Sequence, residues 1–207
     1  MESLFSAVTD LGDVALTGTF TLIFSAYLFA SKEKRPALAI LAAFIGAALA
    51  IALGKITIYS RCDLSTLPFD LRSPSGHSAI ATAVYGTASI TIASSLPSKK
   101  QRLVIYALTA FALIAIVVSR VILGYHTASD AVLGLSVGII SMLGVRQVFL
   151  RATTVNCRWW PLALIVLPIF ALLYGAHFPA EAMIKAISLF IHGYVRACGS
   201  TPVIPLQ

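Results

Sequence analysis

Apolar residues run through this chain in six long blocks. They occupy residues 14–30, 37–54, 77–96, 103–123, 126–148 and 161–178. Each is close to the ~20 residues that carry an α-helix across a bilayer. Polar punctuation separates them. Ser31-Lys32-Glu33-Lys34-Arg35-Pro36 stops the first and Pro97-Ser98-Lys99-Lys100-Gln101-Arg102 closes the third. Arg146 sits near the end of the fifth, Arg151 and Arg158 follow it, and Trp159 and Trp160 suit interfacial anchors for the sixth. A membrane β-barrel would show alternating segments of about ten residues, and none is visible. The pattern predicts an all-α integral membrane protein, a six-transmembrane-helix bundle forming a single domain over residues 1–207.

Finer features modulate that plan. The second block is dense in Ala and Gly, which lets helices approach closely, so it is expected to be an internal helix. The third carries many Ser and Thr. The fifth carries Gly134 and Gly138 at GxxxG spacing, a helix-packing signal. Residues 1–13 read as a short polar lead with Glu2, Asp10 and Asp13. A cleavable signal would begin with basic residues, so the first block is expected to be a retained span. Residues 55–76 form the longest polar connection before the tail, with Pro68 and Pro74 breaking helix. In the tail, 180–207, Met183, Ile184, Ile187, Phe190, Ile191, Tyr194 and Val195 recur at helical spacing, with Glu181, Lys185, Ser188 and His192 between them. This predicts a C-terminal amphipathic helix on the membrane surface.

Composition supports a bilayer as solvent. The chain is 58% hydrophobic with a mean hydropathy of +0.92, more apolar surface than a soluble domain of 207 residues can hide. The net charge of +7 does not point to nucleic acid, because the basic residues cluster at the ends of apolar blocks. The basic loops 31–36, 97–102 and 146–158 are expected to be cytoplasmic. Both termini, the loop 55–76 and the turn 124–125 then lie outside. Lys and Arg distribution alone thus puts Lys55, Arg61, His77, Arg120 and His126 at one face. Cys62, Cys157 and Cys198 show no metal-ligand spacing. Free or structural thiols fit them best. A Cys62–Cys198 disulfide would need both in an oxidising compartment.

Two stretches carry chemistry. In Ser73-Pro74-Ser75-Gly76-His77, Ser73 is placed to cap the third helix, with Pro74 at its first position. The backbone N–H groups of Ser75, Gly76 and His77 would then form an anion site. The second stretch, residues 119–130, gathers Arg120, His126 and Asp130 in a chain where only 11% of residues are charged. Asp130 lies one helical turn after His126 and can hold one imidazole nitrogen, leaving the other free to attack. Arg120 offers a planar fork for phosphate oxygens. Lys55 and Arg61 lie on the outer face, where the positive-inside bias does not favour them, and Arg72 is nearby. Asp63 and Asp70 balance charge, with only weak motif support for a divalent ion. His177 and His192 read as interfacial.

This set resembles the type 2 phosphatidic acid phosphatase superfamily, the lipid phosphate phosphatases. That family carries a Lys…Arg-Pro segment, a Pro-Ser-Gly-His segment and a Ser-Arg-x5-His-x3-Asp segment. The second matches in full at Pro74, Ser75, Gly76 and His77, and the third at Ser119, Arg120, His126 and Asp130. The first departs: five residues rather than six separate Lys55 from Arg61, and Cys62 follows instead of Pro. Arg72 is therefore a second candidate for the Arg61 role. The resemblance covers residues 37–148, with the core motifs at 55–130.

The resemblance implies a phosphatase with His126 as the nucleophile that forms a phospho-histidine, oriented by Asp130. His77 would be the general acid. Lys55, Arg61, Arg120, Ser75 and the Gly76 backbone would hold the phosphoryl oxygens, with no metal and no cofactor. The implied substrate is a lipid phosphate or pyrophosphate of the polyprenyl, phosphatidylglycerol, phosphatidic acid or lipid A type. It would be met at the outer face of the cytoplasmic (inner) membrane, with membrane lipids as the other partners. A lipid phosphotransferase could use the same site. Vanadate haloperoxidases share a similar site but are soluble. A non-catalytic transporter or anion channel would spread polar residues along its spans, whereas here they collect at one face.

Overall fold

The computed structural model describes residues 2–59, 70–150, 155, 158–176 and 178–195. Arg61, Cys62, Asp63, Pro68, Arg151, Cys157, His177 and Cys198 lie outside the described residues, and so does the Cys62–Cys198 pairing. The elements run α1 (Glu2–Asp10), α2 (Val14–Ala30), α3 (Lys34–Tyr59), α4 (Gly76–Ser95), α5 (Lys99–Ile122), α6 (Ala128–Val145), α7 (Trp160–Leu173) and α8 (Ala180–Val195). A π-helical turn, Arg146–Leu150, extends α6. All elements among the described residues are helical.

Four segments are long and apolar enough to cross a membrane: Ser3–Ala30, Lys34–Tyr59, Lys99–Ile122 and Ala128–Leu150. Two of the six expected spans fall short of that standard, for different reasons. α4 is long enough, but Ser and Thr dilute its hydropathy. α7 has only 14 residues. At 1.5 Å per residue that is about 21 Å, against a hydrocarbon core of ~30 Å.

Several expected boundaries move. The polar lead is not a loop: it forms α1, and Asp13 then caps α2, its side chain accepting from Ala15 N at 2.7 Å. α3 continues past Gly54 to Tyr59, so Lys55 sits on a helix and not in the connection. Nothing in 55–59 breaks helix, and Ile51, Lys55 and Ile58 share its buried face. Trp159 is not a simple interfacial anchor. It stacks on Phe24, centroids 5.8 Å apart, while Trp160 is exposed.

The centre of the bundle is α4, not the Ala-rich α3. α4 buries residues around its whole circumference, from Ser78 to Ala93. Its hydroxyls turn inward on their own helix: Thr91 donates to Thr87 O at 2.9 Å and Ser89 to Gly86 O at 2.8 Å. α3 buries only one stripe, including Ala37, Ile40, Ala43, Ala47 and Ile51, and exposes Ile45, Leu49 and Leu53. Small residues permit close approach, but α3 uses them on one side.

α6 lies against α4 through the GxxxG pair. A Cβ on Gly134 would stand 2.3 Å from Ser75 O, and one on Gly138 would stand 2.5 Å from Ala79 O. Two backbones can meet this closely only where there is no side chain. The contact falls at the first turns of α4, where the Pro-Ser-Gly-His segment meets the segment that follows His126. Helix packing thus brings the two stretches together.

Candidate active site

α5 ends at Ile122, and Gly124 takes a positive φ of 72° to reverse the chain. The N–H groups of Tyr125 and His126 both return to Arg120 O, at 3.1 and 3.2 Å. The turn is longer than Gly124-Tyr125 alone, and His126 precedes α6 rather than beginning it. Thr127 is the helix cap: its hydroxyl accepts from Asp130 N at 3.1 Å, and Asp130 Oδ2 accepts from Thr127 N at 3.3 Å. The His126–Asp130 pair is therefore formed across a capping box, not along one helical turn. His126 Nδ1 lies 3.7 Å from Asp130 Oδ2.

Asp130 also holds the other stretch. Its Oδ1 accepts from Arg72 N and Ser73 N, each at 2.9 Å, and its carbonyl accepts from Ser75 N at 3.1 Å. Ser75, not Ser73, caps α4, with Oγ accepting from Ser78 N at 3.4 Å. Ser73 fails as the cap because its N–H is committed to Asp130, which keeps the chain extended for two more residues. Ser75 is wholly buried. Its N–H is used, so the first-turn donors of α4 come from Gly76 and His77. Arg72 is exposed, and its backbone N–H donates to Asp130.

Two cations complete the cluster. The Arg120 guanidinium lies over the Tyr125 ring at 4.4 Å, and its Nη1 donates to Thr9 Oγ1 at 3.1 Å. Its Nε is buried without a hydrogen-bond partner. A buried guanidinium N–H left open in this way suits an anionic ligand. Lys55 is 3% exposed, and its ammonium pairs with Glu181 of α8. Tyr59 donates to the same carboxylate and contacts Ser73 Oγ at 2.8 Å. His77 Nε2 lies 3.6 Å from Asp13 Oδ2. Among the described residues, no group of three His, Cys, Asp or Glu is arranged to hold a metal ion.

Thr9, Asp13, Tyr59 and Glu181 were not expected at this cluster. Asp13 had a local signal: an acidic residue at the mouth of an apolar block is costly unless it is paired. Glu181 had none, because its partner lies 126 residues away.

Burial alone would push the Glu181 carboxyl up. The Lys55 charge, with hydrogen bonds from Lys55 and Tyr59, outweighs this and holds it below its ordinary 4.5. A depressed carboxyl contributes stability that is complete above its unfolded value and lost as pH falls through the folded one. Protection of the first turn of α8 against hydrogen exchange, taken relative to the intrinsic rate at each pH, should therefore fall as pH drops below about 4.5. Glu181→Gln should be loosened already at neutral pH and show no such acid step.

Residues 57–154 match the family model of the PAP2 superfamily. The match confirms the family resemblance. The PAP2 segment contains Arg61, Arg72, Ser75, Gly76, His77, Arg120, His126 and Asp130, and it supports a phosphatase-type reaction. It begins two residues after Lys55 and leaves α1, α2 and α8 outside, so Asp13 and Glu181 reach the cluster from outside the matched segment. No curated protein and no solved structure matches the chain.

Proposed function

We propose that this protein is a membrane-embedded phosphatase that hydrolyses a lipid phosphate or pyrophosphate through a phospho-histidine on His126, without a metal. The carrying observation is Asp130. One carboxylate faces His126 Nδ1 at 3.7 Å and also binds the backbone at Arg72 and Ser73 that leads into His77. That arrangement favours the Nδ1–H tautomer and frees Nε2 to attack phosphorus. As the new N–P bond forms and the P–O bond breaks, His77 gives its proton to the departing lipid oxygen. Water then attacks phosphorus, His77 takes back a proton, and phosphate leaves His126 neutral.

Lys55, Arg120 and the Gly76 backbone neutralise charge on the phosphoryl oxygens, with Arg61 or Arg72 as a further cation and Ser75 fixing the start of α4. The alternation of α2 to α7 and the basic loops between them support a six-span layout, with the site on the outer face of the inner membrane. α8 would lie along that surface, where Met183, Ile187 and Phe190 are exposed. A site at a bilayer edge meets lipid head groups, which favours polyprenyl, phosphatidylglycerol, phosphatidic acid or lipid A phosphates.

The test is phosphate release from that panel by purified protein in EDTA, with substrate confined to either leaflet of sealed vesicles. The expected result is release from the outer leaflet and an acid-labile, alkali-stable phosphoryl label on His126. No release from any lipid, or abolition by EDTA, sinks the proposal. Label recovered on an acceptor lipid instead of in water would identify the phosphotransferase.

A further inference from the structure

Each histidine of the cluster faces a carboxylate, but only one of those carboxylates belongs to the recognised motifs. Asp130 stands 3.7 Å from His126 Nδ1, and Asp13 stands 3.6 Å from His77 Nε2. Asp13 comes from the turn between α1 and α2, outside the PAP2 segment. Its Oδ1 accepts from Ala15 N at 2.7 Å and Phe178 N at 3.4 Å, and Oδ2 is turned toward the imidazole.

Capping alone does not account for this residue. A neutral Ser or Asn caps a helix about as well as Asp does. The Asp13 side chain is only 7% exposed, and a buried carboxylate is costly unless a positive partner faces it. The turn is also fixed in place. A Cβ on Gly12 would meet His77 Cβ at 3.2 Å and Ile116 Cγ2 at 3.0 Å, so the glycine lets the chain lie directly on the histidine. Tyr85 of α4 donates to Leu11 O at 2.7 Å, and Arg120 of α5 binds Thr9. The turn is therefore held against α4 and α5 on either side of the site.

We propose that Asp13 is the positioning residue of His77. Its Oδ2 fixes the imidazole through Nε2, leaving Nδ1–H for the departing oxygen. The other charged groups of the cluster pair among themselves: Lys55 with Glu181 and His126 with Asp130, while Asp10 and Glu181 act with Asp13 on Arg120. No bond to Asp13 forms or breaks. The proposal rests on His77 being the general acid.

The experiment compares kcat/KM for two substrates, an alkyl lipid phosphate and a nitrophenyl phosphate, whose leaving group departs without a proton. Asp13→Asn and Asp13→Ser both keep a capping oxygen. Each should lower kcat/KM for the alkyl ester about 30-fold and for the aryl ester by less than about threefold. His77→Ala should show the same selectivity with a larger loss, and adding Asp13→Asn to it should cost nothing more. Equal losses on both substrates, or a double variant that multiplies the two effects, would overturn the role of Asp13. If His77→Ala itself shows no leaving-group selectivity, the general-acid reading fails and the proposal falls with it. If His77→Ala is selective and Asp13→Asn matches wild type, Asp13 alone is wrong.

Discussion

His126→Ala lowers phosphate release from every lipid phosphate by about 10⁵-fold or more, the scale seen when a covalent nucleophile is removed. The loss is in chemistry and not in folding. Asp130 keeps its bonds from Arg72 N, Ser73 N and Thr127 N, so both the α6 cap and the approach to α4 survive. His126 contributes no cap to either helix, and its own N–H still reaches Arg120 O at 3.2 Å. The protein should elute and unfold like wild type and still bind lipid phosphate through Lys55 and Arg120. It should trap no phosphoryl label. Free imidazole, small enough to occupy the vacated space beside Asp130, should restore a measurable fraction of activity. A variant that keeps more than a tenth of wild-type turnover would remove His126 as nucleophile, and labelled phosphate would then have to be traced to another residue.

What could be read from the sequence depended on how local its cause was. Apolar block length, Pro and Gly punctuation and the two motifs are local, and they place α2 to α7 in order and bring His77, Arg120, His126 and Asp130 into one cluster. Asp130 could be read as a partner of His126, but not as an acceptor for Arg72 and Ser73, because that depends on how α6 packs against α4. The same bond explains why Ser73 looked like the cap and Ser75 is. That the inner helix is α4 and not α3 has a related reason. Ala density in α3 reports close approach without saying on how many sides, whereas the Ser and Thr of α4 are tolerated because other helices surround it. Lys55 is unusual at its position from the sequence alone. Its partner Glu181 and the Asp13–His77 pair join opposite ends of the chain to the middle, where sequence spacing carries no information.

Gly134→Ala is expected to lower kcat/KM about 10²-fold, because it moves one half of the site against the other. The added Cβ would sit 2.3 Å from Ser75 O, and the obstacle is a backbone oxygen that no rotamer change can remove. α4 and α6 must part by about 1 Å, and overpacking of this kind costs roughly 1–3 kcal/mol. The strain falls where Ser75 N meets Asp130 O at 3.1 Å, and that bond and its Asp130 neighbours fix His77 relative to His126. Two other glycines calibrate the effect. At Gly86 a Cβ would lie 2.4 Å from Met142 Sδ, the end of a flexible side chain that can swing aside, so Gly86→Ala should cost less. At Gly144, on the same helix as Gly134, a Cβ meets nothing within 4 Å. Gly144→Ala should be neutral or gain up to about 1 kcal/mol from helix propensity. Unfolding midpoints in detergent, read beside kcat/KM, should rank the three as Gly134, then Gly86, then Gly144. Wild-type activity in Gly134→Ala would mean that the α4–α6 contact does not align the two histidines, and their alignment would have to come from the Asp130 hydrogen bonds alone.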